Sequence, residues 1–133
     1  MCVFCKIVQG EIPAYKVYED DDILAFLDIS QATPGHTLVI PKEHCENIFA
    51  LEENKAANLM KVVTRLSKKL KVALNIDALN ILNNSGQLAG QTVNHFHIHL
   101  LPRSENDGLI IKFSSNKLSE TELKGLQKKL KEG

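Results

Sequence analysis

Three histidines alternate with apolar residues in the run His95-Phe96-His97-Ile98-His99-Leu100-Leu101. Side chains on a strand point to alternate faces, so this pattern predicts a strand with all three imidazoles on one side. Phe96, Ile98 and Leu100 would then pack into the core, and the histidine face would look into a cleft or solvent. Packing has no use for three neighbouring ionisable rings whose protonated forms repel each other. The pattern therefore indicates a site of chemistry.

Two kinds of chemistry use three imidazoles. Three histidines can hold a catalytic zinc ion that keeps one open position, or a neutral imidazole can attack phosphorus while its neighbours stabilise the developing charge. The preceding residues favour the second, because Gly86 and the run Gly90-Gln91-Thr92 supply flexible backbone, an amide and a hydroxyl suited to phosphate oxygens. A zinc site would want a nearby carboxylate to orient the rings. The nearest acids in sequence are Asp77 and Glu105.

The strands that must position these residues are indicated by short apolar runs between turn signals. Residues 15–20 and 22–29 are predicted to form two strands joined at an acidic turn, and 36–40 a third that Pro41 ends. Residues 80–83 are predicted as a strand before a loop rich in glycine and asparagine. The histidine run over 95–101 is the last predicted strand, and Pro102 should end it.

Two helices complete the predicted architecture. Within residues 51–74, apolar side chains recur at helical spacing with lysines and an arginine between them, so one face of a long helix should be buried. Near the C-terminus, Ser119 and Glu122 form a capping box that predicts a further helix. Strands, one long helix, more strands and a final helix predict one α+β domain over residues 1–133, built on an antiparallel sheet.

Composition argues against several functional classes. The 133 residues carry 16 Lys and Arg against 16 Asp and Glu, so no net charge favours a general grip on nucleic acid or an anionic membrane. No apolar stretch approaches the length of a membrane span. The N-terminal residues lack the long apolar run of a signal peptide. Three cysteines are an odd number and poor material for a disulfide framework, so we expect a reducing cytoplasm as the setting.

The cysteines allow two interpretations. Cys2 and Cys5 form a C-x-x-C pair, which alone is a weak signal that two core or reactive cysteines would also produce. Together with His44 and His95 they supply the ligand composition of a closed structural zinc site. That second interpretation would leave the other triad histidines for catalysis. Cys45 is interpreted as a buried small apolar residue rather than a ligand.

The motif His-φ-His-φ-His-φ-φ at 95–101, preceded by Gly90-Gln91-Thr92-Val93, resembles the signature of the histidine-triad (HIT) superfamily of nucleotide hydrolases and transferases. Further segments similar to the Hint-like branch of that family cover most of the chain before Pro102: Phe4–Ile7, Glu11–Pro13, Tyr18–Asp20, Ala25–Ile29 and Gly35–His44. The resemblance implies a HIT-like antiparallel sheet, a homodimer and a purine nucleotide as the substrate. Some HIT-like proteins hold zinc with the first triad histidine as one ligand.

The resemblance also implies a role for each site residue. His97 would attack the α-phosphorus and carry a nucleotidyl intermediate that water resolves, His99 would bind the phosphate and assist the leaving group, and His36 would lie close to the same phosphate. In such a scheme His97 is neutral, with its other ring nitrogen bonded to a backbone carbonyl. The substrate-binding residues implied are Asn84, Gly90, Gln91 and Thr92 for the phosphate and leaving group, Asp28 for the ribose hydroxyls, and Phe4, Ile7, Phe26 and Ile29 for the base.

The activity implied is hydrolysis at the α-phosphate of a nucleoside phosphoramidate or an aminoacyl-adenylate, with release of AMP or GMP. Three alternatives stay open: a dinucleoside polyphosphate hydrolase on the same fold, a nucleotide-binding module whose triad only holds the phosphate, and a zinc hydrolase that uses all three triad histidines. The best-known Hint-like proteins end in an aromatic- and proline-containing tail that reaches towards the partner's active site. This chain ends in a lysine-rich capped helix without Trp, so the leaving-group preference is not carried over.

Overall fold

An antiparallel sheet of five strands is the framework of the chain, and the computed structural model describes all residues from Met1 to Gly133. The strands are β1 (Lys16–Glu19), β2 (Ile23–Leu27), β3 (Thr37–Pro41), β4 (Ala78–Leu82) and β5 (Ile98–Arg103). They lie in the order β1-β2-β3-β5-β4, and each neighbouring pair is antiparallel. Strands β2, β3 and β5 therefore occupy the middle of the sheet. The predicted α+β class with an antiparallel sheet is confirmed.

Each face of the sheet is covered by one helix. The long helix α2 (Glu53–Leu74) covers one face, and its apolar stripe packs on alternate residues of the central strands. The short helix α1 (Val3–Val8) covers the other face, where Phe4 and Ile7 pack on the intervening residues of β2 and β3. Both faces of β2 and β3 are therefore buried, which explains why these strands are almost continuously apolar.

The histidine run differs from its prediction in where the strand begins. Strand β5 begins at Ile98, so His95 and His97 lie on the extended segment that leads into it. The ladder to β3 reaches only Val39, opposite Ile98, and Pro41 has no N–H with which to extend it. The N–H of Phe96 instead donates to the carbonyl of Cys45.

The alternation of faces nevertheless continues through this segment. Phe96, Ile98 and Leu100 are buried in the core beneath α2, as expected, and the three histidines turn to the α1 face. At the other end, β5 runs past Pro102 to Arg103, because beyond Leu100 it pairs only with β4 and the missing N–H interrupts no ladder.

Helix α1 was not anticipated from the sequence. It has only six residues, too few for a periodic pattern, and its N-cap is Cys2, whose sulfur accepts a hydrogen bond from the N–H of Cys5. Cysteine is not among the residues that usually mark a helix start. The helix matters for the site because it carries Phe4 and Cys5 on neighbouring positions.

The predicted long and C-terminal helices are both present. Helix α2 starts two residues later than expected, and its buried residues are Leu59, Val62, Val63 and Leu66. Helix α3 (Glu120–Glu132) has the full capping box between Ser119 and Glu122, but none of its residues is buried. None of the helices combines the length and the apolar character that crossing a membrane requires.

Candidate active site and metal centre

A cleft of about 420 Å³ opens on the α1 face of the sheet, a volume typical of small-ligand pockets. Its walls come from α1, the end of β2 with the following turn, and the segment that leads into β5. Eight of the residues expected to form the site line it: Phe4, Ile7, Phe26, Asp28, Ile29, Thr92, His97 and His99. The cleft therefore joins apolar wall, carboxylate, hydroxyl and imidazole in one space.

The apolar part of the cleft is built by packing that the sequence only partly indicated. Phe4, Ile7 and Phe26 are buried, and the rings of Phe4 and Phe26 meet edge to face with centroids 5.5 Å apart. Ile29 is 88% exposed and lies at the rim. Sequence reasoning missed further apolar lining residues before and beside these, namely Val3, Ile12, Pro13, Ala14, Leu38 and Val93.

The ring of His97 is fixed by one short hydrogen bond. Its Nδ1 lies 2.7 Å from the carbonyl oxygen of His95, and a carbonyl can only accept, so Nδ1 carries the proton. In the neutral ring the lone pair is then on Nε2, which has no partner in the protein and is not sealed from solvent. Phe4 packs edge-on against the same ring, with centroids 5.2 Å apart. A bare imidazole nitrogen therefore faces the cleft.

His36 and His99 are joined by a hydrogen bond, and both rings carry their proton on Nε2, whereas His97 carries it on Nδ1. The backbone N–H of Ala32 donates to Nδ1 of His36 over 3.1 Å, so the proton of the neutral ring is on Nε2. That Nε2 lies 2.9 Å from Nδ1 of His99 and donates to it. The neutral ring of His99 must then carry its own proton on Nε2, on the side of the cleft. His97 and His99 thus present an acceptor and a donor side by side, with ring centroids 5.0 Å apart.

Burial keeps the rings of His36 and His99 neutral at ordinary pH. Removal from solvent lowers the pKa of His36, and the nearby carboxylate of Asp28 offsets only part of that effect. Burial, followed by the proximity of His97 and His36, lowers the pKa of His99 to about 4. Each neutral ring has one donor nitrogen and one acceptor nitrogen. The Ala32 N–H makes Nδ1 of His36 an acceptor and thereby decides which nitrogens of the two rings donate.

Asp28 lies beside His36, the first ring of the hydrogen-bonded His36–His99 pair. One carboxylate oxygen accepts from the N–H of Ser30 at 2.8 Å, and the other lies 3.6 Å from Nε2 of His36. The second distance is too long for a hydrogen bond. One oxygen therefore has no hydrogen-bond partner in the protein, and since Asp28 lines the cleft it can accept from a ligand hydroxyl.

Three of the expected phosphate-binding residues lie in the loop before the histidine segment rather than on the wall of the cleft. Gly90 has φ +94°, and a Cβ there would come within 3.6 Å of the Asn84 amide, so these two residues are neighbours. The side chain of Gln91 is fully engaged: its amide donates to the carbonyls of Glu46 and Val93, and its oxygen accepts from the N–H of Gly86. Gln91 therefore braces the loop instead of reaching into the cleft.

Asn83 is a site residue that the sequence did not single out. Its amide donates to the carbonyl of His97 over 2.9 Å, and its oxygen accepts from the hydroxyl of Ser85. It ties the end of β4 to the His97 backbone at the point where the strand ladder stops. No sequence signal marks it, because asparagine is common in such loops.

The four expected metal ligands converge behind α1. Cys2, Cys5, His44 and His95 bring two sulfurs and two Nδ1 atoms together, and the six distances between these atoms run from 3.1 to 3.6 Å. Tetrahedral zinc with bonds of about 2.0–2.3 Å would set such edges at about 3.3–3.8 Å. Nε2 of His95 lies 2.7 Å from the Pro41 carbonyl and must carry the proton, which leaves Nδ1 bare towards the cluster. The donor set fits a zinc ion.

A second group of potential ligands, Asp28, His36 and His99, fits a metal less well. The Ala32 N–H already occupies Nδ1 of His36, so the ring would have to lose its last proton before Nε2 could bind a cation. The three triad histidines do not converge on one point either, because His95 belongs to the cysteine cluster and His99 to this second group. This geometry disfavours a three-histidine catalytic metal.

Comparison with known proteins identifies the family to which the chain is similar. The family model described as HIT domain matches residues 9–106. The adenosine 5′-monophosphoramidase of Schizosaccharomyces pombe is 40% identical over 126 residues, which cover 94% of this chain and 92% of that protein. Among solved structures, a Streptococcus mutans UA159 protein is 50% identical with a TM-score of 0.94, covering 98% of this chain and 83% of that one. A zinc-bound histidine triad family protein from Mycobacterium smegmatis is 40% identical with a TM-score of 0.78, covering 86% and 84%.

Proposed function

The chain belongs to the HIT family, and on that premise we propose that it hydrolyses purine nucleotide derivatives at the α-phosphate and releases a nucleoside monophosphate such as AMP or GMP. The substrates that suit this site are nucleoside phosphoramidates and mixed anhydrides of the aminoacyl-adenylate type. Family membership supports nucleotide chemistry in general, and the name of the S. pombe relative supports the phosphoramidate.

The orientation of His97 is the observation that carries the proposal. The bond from its Nδ1 to the His95 carbonyl leaves Nε2 as the nucleophilic atom, open to the cleft. The same bond becomes stronger when the ring acquires positive charge, because the donor is then cationic. A nitrogen held in this way is suited to form and release a covalent bond to phosphorus.

The reaction follows in two displacements. In the first, Nε2 of His97 forms a bond to the α-phosphorus, the bond from phosphorus to the leaving nitrogen or oxygen breaks, and the leaving group takes a proton from solvent. In the second, water attacks the phosphorus, the bond to His97 breaks, and the proton of the water returns to solvent. The Nε2–H of His99 donates to a phosphoryl oxygen in both steps and stabilises its developing charge. His36 acts from behind His99 by holding that ring.

The rest of the cleft suits the nucleoside. The unpartnered oxygen of Asp28 can accept hydrogen bonds from the ribose hydroxyls. Phe4, Ile7, Phe26 and Ile29 give the cleft an apolar wall against which a purine base can pack. Thr92 lines the same cleft, and we assign it, with the neighbouring residues Asn84 and Gly90 of the loop, to the phosphate and the leaving group.

Zinc on Cys2, Cys5, His44 and His95 would have a structural role. A four-ligand site leaves no open position for a substrate, so the metal supplies cross-linking energy and no step of the reaction. It would fasten α1 to the His44 turn and to the His95 segment. Those two connections set the position of Phe4 on one side and of His97 on the other.

The test is release of AMP from adenosine 5′-phosphoramidate, measured with and without a chelator, by the wild-type protein, His97→Ala and Asn94→Ala. Asn94 is an exposed neighbour whose side chain makes no hydrogen bond, so it serves as the matched control. We expect turnover that survives chelation, is retained in Asn94→Ala and vanishes in His97→Ala. A mass increment of a nucleotide on the wild-type chain that survives alkali and is lost in acid, as a bond between phosphorus and imidazole nitrogen should be, would identify the intermediate.

Other outcomes would redirect the proposal. Loss of turnover on chelation in a protein that stays folded would show that a metal ion takes part in the reaction. Turnover only with dinucleoside polyphosphates would favour that substrate class on the same site. Tight AMP binding without turnover or adduct would leave a nucleotide-binding module.

The homodimer and the cytoplasmic setting also remain predictions. Apolar side chains lie exposed beside the edge strand β4 and on the adjoining part of α2, which supports a second copy packing there: Ile48, Phe49, Met60, Ile81 and Leu82. Light scattering should give twice the chain mass for the wild type and the single-chain mass for Ile81→Glu. Leu88→Glu, at an exposed loop position, should remain dimeric.

A further inference from the structure

Gln31 is exposed, yet its side chain makes four hydrogen bonds within one turn. Its amide nitrogen donates to the carbonyls of Asp28 and His36, and its oxygen accepts from the N–H groups of Gly35 and His36. An exposed glutamine ordinarily spends these groups on water. Here the side chain bridges the two ends of the turn between β2 and β3 like an additional peptide unit.

The turn that Gln31 closes carries two groups of the cleft. Asp28 begins the turn and His36 ends it, and the backbone N–H of Asp28 donates to the His36 carbonyl over 3.0 Å. Between them lies Ala32, whose N–H reaches back to Nδ1 of His36. The position of that N–H depends on the backbone of residues 31–36, because Ala32 has no polar side chain of its own to hold it.

This N–H decides which ring nitrogens donate and which accept in the hydrogen bonds of His36 and His99. It makes Nδ1 of His36 an acceptor, so Nε2 of His36 donates to Nδ1 of His99, and His99 keeps its proton on Nε2. Without it, His36 could carry its proton on either nitrogen, and His99 would follow. A His99 ring with its proton on Nδ1 would have a lone pair on Nε2. That lone pair would repel a phosphoryl oxygen instead of donating a hydrogen bond to it.

We propose that Gln31 is a positioning residue that fixes the tautomer of His99 through the Ala32 N–H and His36. This role rests on the proposed function only in its effect on turnover, since the tautomer itself follows from the hydrogen bonds. Gln31 touches no part of the cleft directly: it does not line it, and its four partners are all backbone groups of its own turn.

The experiment compares wild type with Gln31→Met, which keeps the volume and removes all four bonds, and with Gln31→Glu, which keeps the oxygen that accepts from Gly35 and His36. Gln127→Ala is the control, because Gln127 is an exposed glutamine on α3 without a side-chain hydrogen bond. Two-bond ¹H–¹⁵N spectra of the full chain as purified report which nitrogen of each histidine carries the proton. Steady-state turnover of adenosine 5′-phosphoramidate gives kcat and KM for the same samples.

The expected result is a single Nε2–H form of His99 in wild type and in Gln127→Ala. In Gln31→Met the two nitrogens of His99 should show averaged shifts, and kcat should fall about 10- to 100-fold with a smaller change in KM. Gln31→Glu should lie between them, and it decides the question if Gln31→Met does not fold.

A folded Gln31→Met with the wild-type tautomer at His99 would overturn the proposal, as would an equal change in Gln127→Ala. If the tautomer shifts as expected but even the wild type shows no turnover, the positioning role stands and the proposed reaction fails. The two conclusions can therefore be separated.

Discussion

Two groups of histidines lie next to each other on the α1 face, and they differ in where their rings direct their protons. In the cysteine cluster, the proton of His95 points away to the Pro41 carbonyl, so bare nitrogens and sulfurs face a common centre. In the neighbouring group, His36 and His99 are joined donor to acceptor, so the space between them is already filled by a hydrogen bond. The first arrangement is one that a cation completes, whereas the second is complete without one.

His95 and His97 show how small the underlying difference is. The rings are two residues apart and each donates to a backbone carbonyl, but His95 uses Nε2 and His97 uses Nδ1. The bare nitrogen of His95 therefore points into the metal cluster and that of His97 into the cleft. The choice of carbonyl partner, rather than the residue type, separates the proposed metal ligand from the proposed nucleophile.

The comparison predicts opposite losses when one histidine is removed from each group. His99→Asn should lower kcat by about 10²- to 10⁴-fold, because a donor to the developing phosphoryl charge is lost, while the metal content per chain stays unchanged. His44→Asn should lower the metal content and change kcat by less than about 10-fold. Turnover assays and elemental analysis of the same preparations check both. Equal loss of metal in the two variants would show that the groups are not separate.

Removal of the metal should affect stability far more than chemistry. Zinc at about 1,000 times its Kd would contribute about 4 kcal/mol to the free energy of unfolding, and a chelator should remove that contribution. Urea unfolding with and without chelator measures it. Cys5→Ser is the matched variant: its stability should be lower and should no longer respond to the chelator. A wild-type protein whose unfolding midpoint ignores the chelator would contradict the structural zinc.

Phe4 is the side chain that the two groups share, since its ring contacts both His95 and His97 edge-on. Phe4→Leu should cost about 1–3 kcal/mol of stability through the smaller volume and the lost aromatic contacts. It should also lower kcat/KM about 10-fold, because His97 and the wall of the cleft lose their packing partner. Phe113→Leu, at a position that is 92% exposed, is the control and should change neither quantity. Thermal unfolding and turnover check this prediction.

The smallest expected effect is a pH dependence that belongs to the hydrogen-bonded group. The pKa of His99 is lowered to about 4 by burial and that of His36 is also lowered, whereas both titrate near 6.5 in the unfolded chain. Between these values the unfolded state binds more protons than the folded state, so stability rises with pH from about 4 to 6.5 and is lost on acidification through that window. We expect His99→Asn to reduce the change in the free energy of unfolding across this window by on the order of 1 kcal/mol.

Urea midpoints of the metal-free protein between pH 4 and 7 measure the slope. Asp107, whose pKa is lowered chiefly by Arg103, acts in a different window, because its contribution is lost as the pH falls below the unfolded value near 4. An unchanged slope in His99→Asn would show that the imidazole chain does not stay neutral on folding.

Patterns in the sequence were sufficient to predict those structural features that depend on the periodic spacing of residues. The alternation around His97 predicted which face of the segment is buried and which carries the histidines. The spacing of Leu59, Val63, Leu66 and Leu70 predicted the stripe of α2 that packs on the core, to which the structure adds Val62. The two-cysteine, two-histidine set also comes together as expected, because its residue types have few other uses in combination. These features depend on residue type and spacing, which a sequence displays directly.

What the sequence could not give depends on backbone atoms. The Pro41 and His95 carbonyls and the Ala32 N–H decide the tautomers, and no residue type announces them. Helix α1 was missed because it is short and capped by a cysteine, and Gln31 because an exposed glutamine carries no pattern. Gln91 was expected at the phosphate, but its side chain is taken up by the loop, a competition that only the folded backbone reveals.

The spacing of the cysteine cluster along the chain has a consequence for biosynthesis. Cys2 and His95 are 93 residues apart, and a ribosome adds roughly 5–20 residues each second. The first two ligands therefore emerge about 5–20 s before the last one. Until His44 emerges the nascent chain offers only an open thiol pair, which any soft metal or oxidant can reach, and until His95 emerges it offers three of the four ligands. A zinc ion held by all four ligands would therefore bind late, when His95 has emerged and β1, β2 and β3 can already pair.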